Sequence, residues 1–136
     1  LMRWLILFWV TVAVCKAIIF GQASSRTGSY AVEGKEEQQA YTGRADVTEA
    51  DGVVILDWYT DNGDHIGTGL GIREGAVLSV VFKNAGGIGL ISYRIDGSKL
   101  IGKWMYAGSQ GVFPETLTKT DSKLHGADKK GPKTKI

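Results

Sequence analysis

HIGTGLGIREGAVLSVVFKNAGGIGLISYRIDGSKLIGKWMY, residues His65–Tyr106, is the stretch that decides the fold. Four runs in it alternate with a period of two: His65–Ile72, Val77–Phe82, Gly89–Ile95 and Leu100–Tyr106. Successive strand side chains point to opposite faces, so such alternation predicts strands with one buried face. The breaks between the runs, Glu74-Gly75, Asn84–Gly87 and Asp96-Gly97-Ser98, are residues that suit tight turns.

The same rhythm continues outward on both sides. Upstream, Tyr30 and Val32 share a face before a polar loop, Gly34–Gln39, and Tyr41–Val47 alternates again. Ala50-Asp51-Gly52 turns the chain into Val53–Tyr59, where Val54, Leu56 and Trp58 form one face. Asp61-Asn62-Gly63-Asp64 then carries Asn-Gly, a strong hairpin signal because both residues tolerate positive φ. Downstream, Val112–Thr118 supplies a last strand. No stretch between the two ends carries a 3.6-residue period. Eight short strands joined by short loops make a meander, and a meander that closes on itself has no exposed edge. The expected fold is therefore all-β, a small antiparallel meander barrel of about eight strands, with an open two-sheet sandwich as the alternative. Tyr41-Thr42-Gly43, His65-Ile66-Gly67 and Leu100-Ile101-Gly102 each place a bulky residue two before a glycine. A glycine repeated inside strands marks sharp bends or close approaches, which favours closure.

The ends of the 136-residue chain differ from this middle. Leu1–Phe20 is nearly unbroken apolar sequence with Arg3 and Lys16, followed by Gly21-Gln22-Ala23. A basic start, an apolar run and a small-x-small exit predict a signal peptide over residues 1–23, hence a secreted or periplasmic protein. The alternative is an N-terminal membrane anchor, since the run approaches the roughly 20 residues that span a bilayer. The domain is expected over residues 28–118 and a disordered basic tail over 119–136, where Lys123, Lys129, Lys130, Lys133 and Lys135 lie among almost no apolar residues. The formal charge of +2 hides this division. Gly28–Thr120 holds 8 basic and 12 acidic residues, so the domain is acidic and nucleic acid is not an expected partner. The single cysteine, Cys15, lies in the signal, which excludes a disulfide framework or a Cys-rich zinc module.

Few residues are suited to catalysis. His65 and His125 are the only histidines, no G-x-S-x-G elbow exists, and His65 takes the place of Tyr41 and Leu100 in the other units. It is expected to be packed or turn-side. Asp57, Asp61 and Asp64 fail as a calcium loop, because Tyr59 and Asn62 fall at the third and sixth positions. Gly67-Thr68-Gly69-Leu70-Gly71 lies in a strand pattern with no helix after it to hold phosphate. No catalytic residue, metal ligand or cofactor is expected.

The inward face is more telling. If Trp58 and Trp104 face inside, parity brings Tyr30, Tyr41, Tyr93, Tyr106 and Phe82 toward the same space, and Glu115 shares its face with Phe113 and Leu117. A buried carboxylate must be hydrogen-bonded or paired. Glu115 is then either a ligand-orienting group in an aromatic cup or a latch accepting bonds from a tyrosine hydroxyl or an indole. The candidate ligand-binding residues are Trp58, Trp104, Tyr41, Tyr93 and Glu115. On the opposite face, Val53, Ile55, Tyr59, Val77, Val81, Ile101 and Met105 form an apolar patch suited to a homo-oligomer or a macromolecular partner.

Gly28–Gly34 (GSYAVEG), Tyr41-Thr42-Gly43, His65–Gly69 (HIGTG), Tyr93–Gly97 (YRIDG), Leu100–Trp104 (LIGKW) and Glu115-Thr116-Leu117 follow one another in an order that resembles a family of small exported bacterial proteins often labelled fibronectin-binding proteins. The resemblance covers nearly all of Gly28–Leu117 and implies adhesion to host matrix. His65 stands where the family usually has an aromatic, and the basic tail is an addition. The meander and the G-x-W at Trp104 are also similar in layout to avidin-like and lipocalin-like barrels. Two functions are thus expected: an exported, non-enzymatic adhesion or binding module, or a carrier of a small apolar ligand in an aromatic cavity.

Overall fold

The computed structural model describes residues 24–120, so the expected signal peptide and all but the first two residues of the expected tail lie outside the described residues. Eight antiparallel strands follow in chain order: β1 (Gly28–Glu36), β2 (Gln39–Ala50), β3 (Val53–Tyr59), β4 (His65–Glu74), β5 (Val77–Asn84), β6 (Gly87–Asp96), β7 (Lys99–Tyr106) and β8 (Phe113–Lys119). Each pairs with its neighbour in sequence, and β8 pairs with β1, closing the barrel. The barrel stands and the sandwich does not. No helix occurs among the described residues.

The turns follow local chemistry with two departures. Asp51 and Gly52 both adopt positive φ, 51° and 77°, the pair that a two-residue hairpin with the right strand twist requires. The polar stretch expected as the loop Gly34–Gln39 is mostly strand, and only Glu37 and Gln38 turn. Asp61–Asp64 is likewise no two-residue hairpin. Only Gly63 has positive φ there (89°), and Thr60 closes a longer loop by donating its N–H to the Asp64 carbonyl at 2.8 Å.

Inside, aromatic rings alternate with glycines along cross-strand rows. Phe82 lies between Gly69 and Gly89, and Trp58 is opposite Gly67. A Cβ on Gly69 would stand 2.8 Å from the Trp58 ring and from Val80, so the three inward glycines of β4, Gly67, Gly69 and Gly71, make the room that the aromatics fill. Two of the three glycines of the repeat seen in sequence, Gly67 and Gly102, are thus a cross-strand device, each opposite a ring on the next strand, while Gly43 faces Val32 and the Tyr59 backbone.

One end of the barrel is packed shut. Val47, Val54, Leu56, Leu78, Leu100 and Leu117 fill it. Tyr30 belongs to this end, not to the aromatic space at the other, and donates its hydroxyl to the Arg26 carbonyl at 2.7 Å. Residues 24–27 cross the same end, ahead of the expected domain start at Gly28. Arg26 N donates to Glu49 Oε2 at 2.6 Å, and Arg73 Nη1 donates to the Ser24 carbonyl at 3.1 Å. Arg73 and Glu49 form an ion pair there at 2.8 Å with side chains only 9% and 10% exposed. At the other terminus, Lys119 is still in β8, and Thr120 N donates to the Ser29 carbonyl at 2.9 Å. The folded unit therefore extends past both expected bounds.

Candidate functional site

The opposite end, where β1, β3, β5 and β7 finish, is not filled. It holds a cavity of about 190 Å³ whose lining includes Tyr41, Trp58, Tyr59, Phe82, Trp104, Tyr106 and Glu115. The rings meet edge-on or tilted, with Trp104 at 5.9 Å from Phe82, 5.2 Å from Tyr106 and 4.9 Å from Phe113. Edge-to-face contact fixes each ring by its neighbours, so the walls are largely preformed.

Glu115 lies at the base of the cavity, 5% exposed. Its placement follows from one row of register partners: Tyr41 (β2) opposite Gly34 (β1), Gly34 opposite Glu115 (β8), Glu115 opposite Gly102 (β7), and Gly102 opposite Tyr93 (β6). The two glycines flanking the carboxylate have no side chain, and a Cβ on either would collide with the tyrosine ring next to it. Each tyrosine therefore lies over its glycine and reaches the carboxylate. Tyr41 donates to Oε1 at 3.2 Å, and Tyr93 makes a short bond to Oε2. Trp104 Nε1 in turn donates to the Tyr41 hydroxyl at 2.8 Å. The chain of donors runs from Trp104 through Tyr41 to Glu115.

Burial raises the pKa of Glu115, while the hydroxyls of Tyr93 and Tyr41 and the nearby Trp58 indole pull it back down. The result stays above the ordinary carboxylate value. Burial, then the Glu115 charge, raises both tyrosines, so they remain protonated donors. Trp58 Nε1 is buried and reaches no hydrogen-bond partner.

Of the five residues expected from sequence, Trp58, Trp104, Tyr41 and Glu115 line the cavity together. Tyr93 lies beneath it, fully buried, and holds Glu115 from below. The two expectations for Glu115 meet in one arrangement, since it accepts tyrosine hydroxyls and also faces the cavity.

The rim differs from expectation. Tyr59, expected outside, lines the cavity mouth, and Arg44 sits over its ring at 4.4 Å. His65, expected on the face of Tyr41 and Leu100, points outward, where its Nε2 is 2.9 Å from Asp57 Oδ1. The cause is a bulge. Trp58 pairs with Gly67 but Tyr59 pairs with His65, so Ile66 is the extra residue. This turns Ile66 to the rim and His65 away from it. Asn84, which donates to the Tyr106 hydroxyl at 3.1 Å, also lines the cavity, and its place two residues after inward Phe82 in β5 was the sequence signal for it.

On the outer surface, Val53, Ile55, Val77 and Val81 are exposed as expected, and Leu70, Ile72, Ile88 and Leu90 join them. The inward parity of Gly67, Gly69 and Gly71 was the signal that Leu70 and Ile72 face out. Ile101 and Met105 are half-buried.

No protein-family model matches the chain, and no curated protein matches it in sequence. Gly34, Tyr41, Tyr93, Gly102, Trp104 and Glu115 are the residues of the carboxylate network.

Proposed function

We propose that this chain is a non-enzymatic binding protein that takes a compact ligand with an apolar body into the open end of its barrel. The observation that carries this reading is the preformed aromatic cavity with a single hydrogen-bonded carboxylate at its base. Ligand pockets combine apolar walls with a few placed polar groups in this way. Its volume lies below the roughly 300–1,000 Å³ of sites for drug-sized ligands, so the ligand is small. Saturation-transfer NMR with cyclohexanol, indole and choline tests the reading. Transfer to at least one probe, lost in the cavity-filling variant Ile91→Trp, supports it; transfer to none refutes it.

The reading includes export, supported by the order of basic, apolar and small residues in Leu1–Ala23 and by a domain without cysteine. A processed chain beginning at Ser24, found outside the cytoplasm by fractionation and N-terminal sequencing, is the expected result.

A second reading, adhesion to a macromolecule or a second copy through the outer face, is favoured by one observation. Ile55, Leu70, Val81 and Leu90 are exposed and directly opposite one another across β3, β4, β5 and β6. Loss of self-association or of immobilised fibronectin binding in Leu70→Lys supports it. A monomeric chain that binds no fibronectin sinks it.

A further inference from the structure

The walls of the cavity carry charge of one sign only. Glu115 lies at its base and Glu36 at its mouth, and the lining contains no lysine or arginine. Among the described residues, no lysine, arginine or histidine pairs with Glu115. This contrasts with the closed end, where the half-buried Glu49 has Arg73 at 2.8 Å. The one buried carboxylate that faces the cavity is the one left without a counter-charge.

The hydrogen bonds around it are arranged for an ionised acceptor. Tyr41 and Tyr93 both donate to Glu115, and Trp104 supports Tyr41 from behind. Dipoles aimed at a carboxylate stabilise its charge without neutralising it. The negative potential therefore projects into a space bounded by the faces and edges of Trp58, Phe82, Trp104 and Tyr106. Aromatic faces attract cations through the ring quadrupole, and most strongly where water is excluded. The Trp58 indole, buried beside Glu115, adds to the dipoles that favour its charge.

From this geometry we infer that the ligand is a compact organic cation, a protonated or quaternary amine, seated between the aromatic walls and Glu115. The inference rests on the ligand-binding reading above and specifies its chemistry. A neutral ligand of the same shape would leave Glu115 buried without a counter-charge. An anionic ligand would meet it as a like charge.

Isothermal titration of the full chain with choline, tetramethylammonium and 3,3-dimethylbutan-1-ol, the uncharged carbon analogue of choline, tests it. The expected result is choline binding at least about tenfold tighter than the neutral alcohol. Tetramethylammonium, which keeps the charge without the alcohol arm, should bind as well. Glu115→Gln should reduce the preference for choline over the alcohol to within about threefold, a ratio that reads the charge whatever happens to the absolute affinities. Equal affinity for choline and the alcohol in the unmodified protein overturns the charge assignment and leaves the cavity reading standing. Binding of none of the three, together with no saturation transfer from cyclohexanol or indole, overturns both. The comparison in the unmodified protein decides the matter even if Glu115→Gln fails to fold.

Discussion

Tyr93→Phe removes one oxygen from a fully buried ring and leaves its shape in place. That oxygen donates to Glu115 Oε2, and Glu115 has no cation beside it among the described residues. A hydrogen bond to an ionised group contributes about 1.5–3 kcal/mol, against about 0.5–1.5 kcal/mol for a neutral pair. Where Glu115 is ionised the variant should lose the larger amount, which for a domain of this size lowers Tm by about 10–20 °C. Burial already holds the Glu115 pKa above its ordinary value of 4.5, so the folded chain binds that proton more tightly than the unfolded one. This contribution is complete below the unfolded value and is lost as pH rises through the folded one. Without the Tyr93 hydroxyl the folded value rises further. The deficit of Tyr93→Phe is therefore small in acid and grows as pH rises through the folded value of the wild type and then through the higher one of the variant. Urea denaturation across this pH range, repeated in a Glu115→Gln background, measures it. The same deficit at every pH, or an undiminished one when the carboxylate is replaced by the uncharged amide, would refute a charge-assisted bond to Glu115.

Four other outcomes follow from the structure. Gly102→Ala places a methyl 2.8 Å from Tyr93 Cε1 and 3.0 Å from the Ser92 carbonyl; with Tyr93 buried and unable to swing away, it should cost about 1–3 kcal/mol in urea melts. Gly34→Ala should cost less stability, because the half-buried Tyr41 ring can yield toward the mouth, yet it should still weaken ligand binding. Glu49→Ala strands Arg73 at the closed end and should cost about 3 kcal/mol at neutral pH. Burial raises the Glu49 pKa, but bonds from Arg73 and from the Arg26 N–H outweigh it and the net value is lowered. The wild type's advantage is thus present above the unfolded value and disappears as pH falls through the folded one, which acid titration followed by circular dichroism reads. Leu70→Lys, at a site 61% exposed, should leave monomer stability within about 0.5 kcal/mol whatever it does to association, as a melting curve at low protein concentration will show.

The alternation of residues and the turn chemistry were enough to determine eight strands, their order and the identity of the inward faces. These are local properties: a period of two states which side chains share a face, and Asp51-Gly52 or Gly97 states where the chain reverses. The presence of Trp58, Trp104, Tyr41, Tyr93 and Glu115 on one inner surface was legible for the same reason. Sequence parity did not reveal height along the barrel axis. It put Tyr30 and Tyr41 in one space, whereas strand stagger sends Tyr30 to the closed end and Tyr41 to the cavity. One extra residue, Ile66, breaks the parity of β4 and exchanges His65 for Ile66 at the rim, and nothing in the local pattern marks it.

The tertiary structure alone decided what surrounds Glu115. Its neighbours Gly34 and Gly102 lie far apart in the chain, on the first and seventh strands, and they become its neighbours only when β8 closes against both β7 and β1. Closure sets the register, and register determines which ring lies over which glycine. That is why the sequence determined short antiparallel strands with an aromatic, carboxylate-bearing inner face, while long-range pairing decided that they close into a barrel, sealed at one end by an ion pair and open at the other around a carboxylate with no cation beside it.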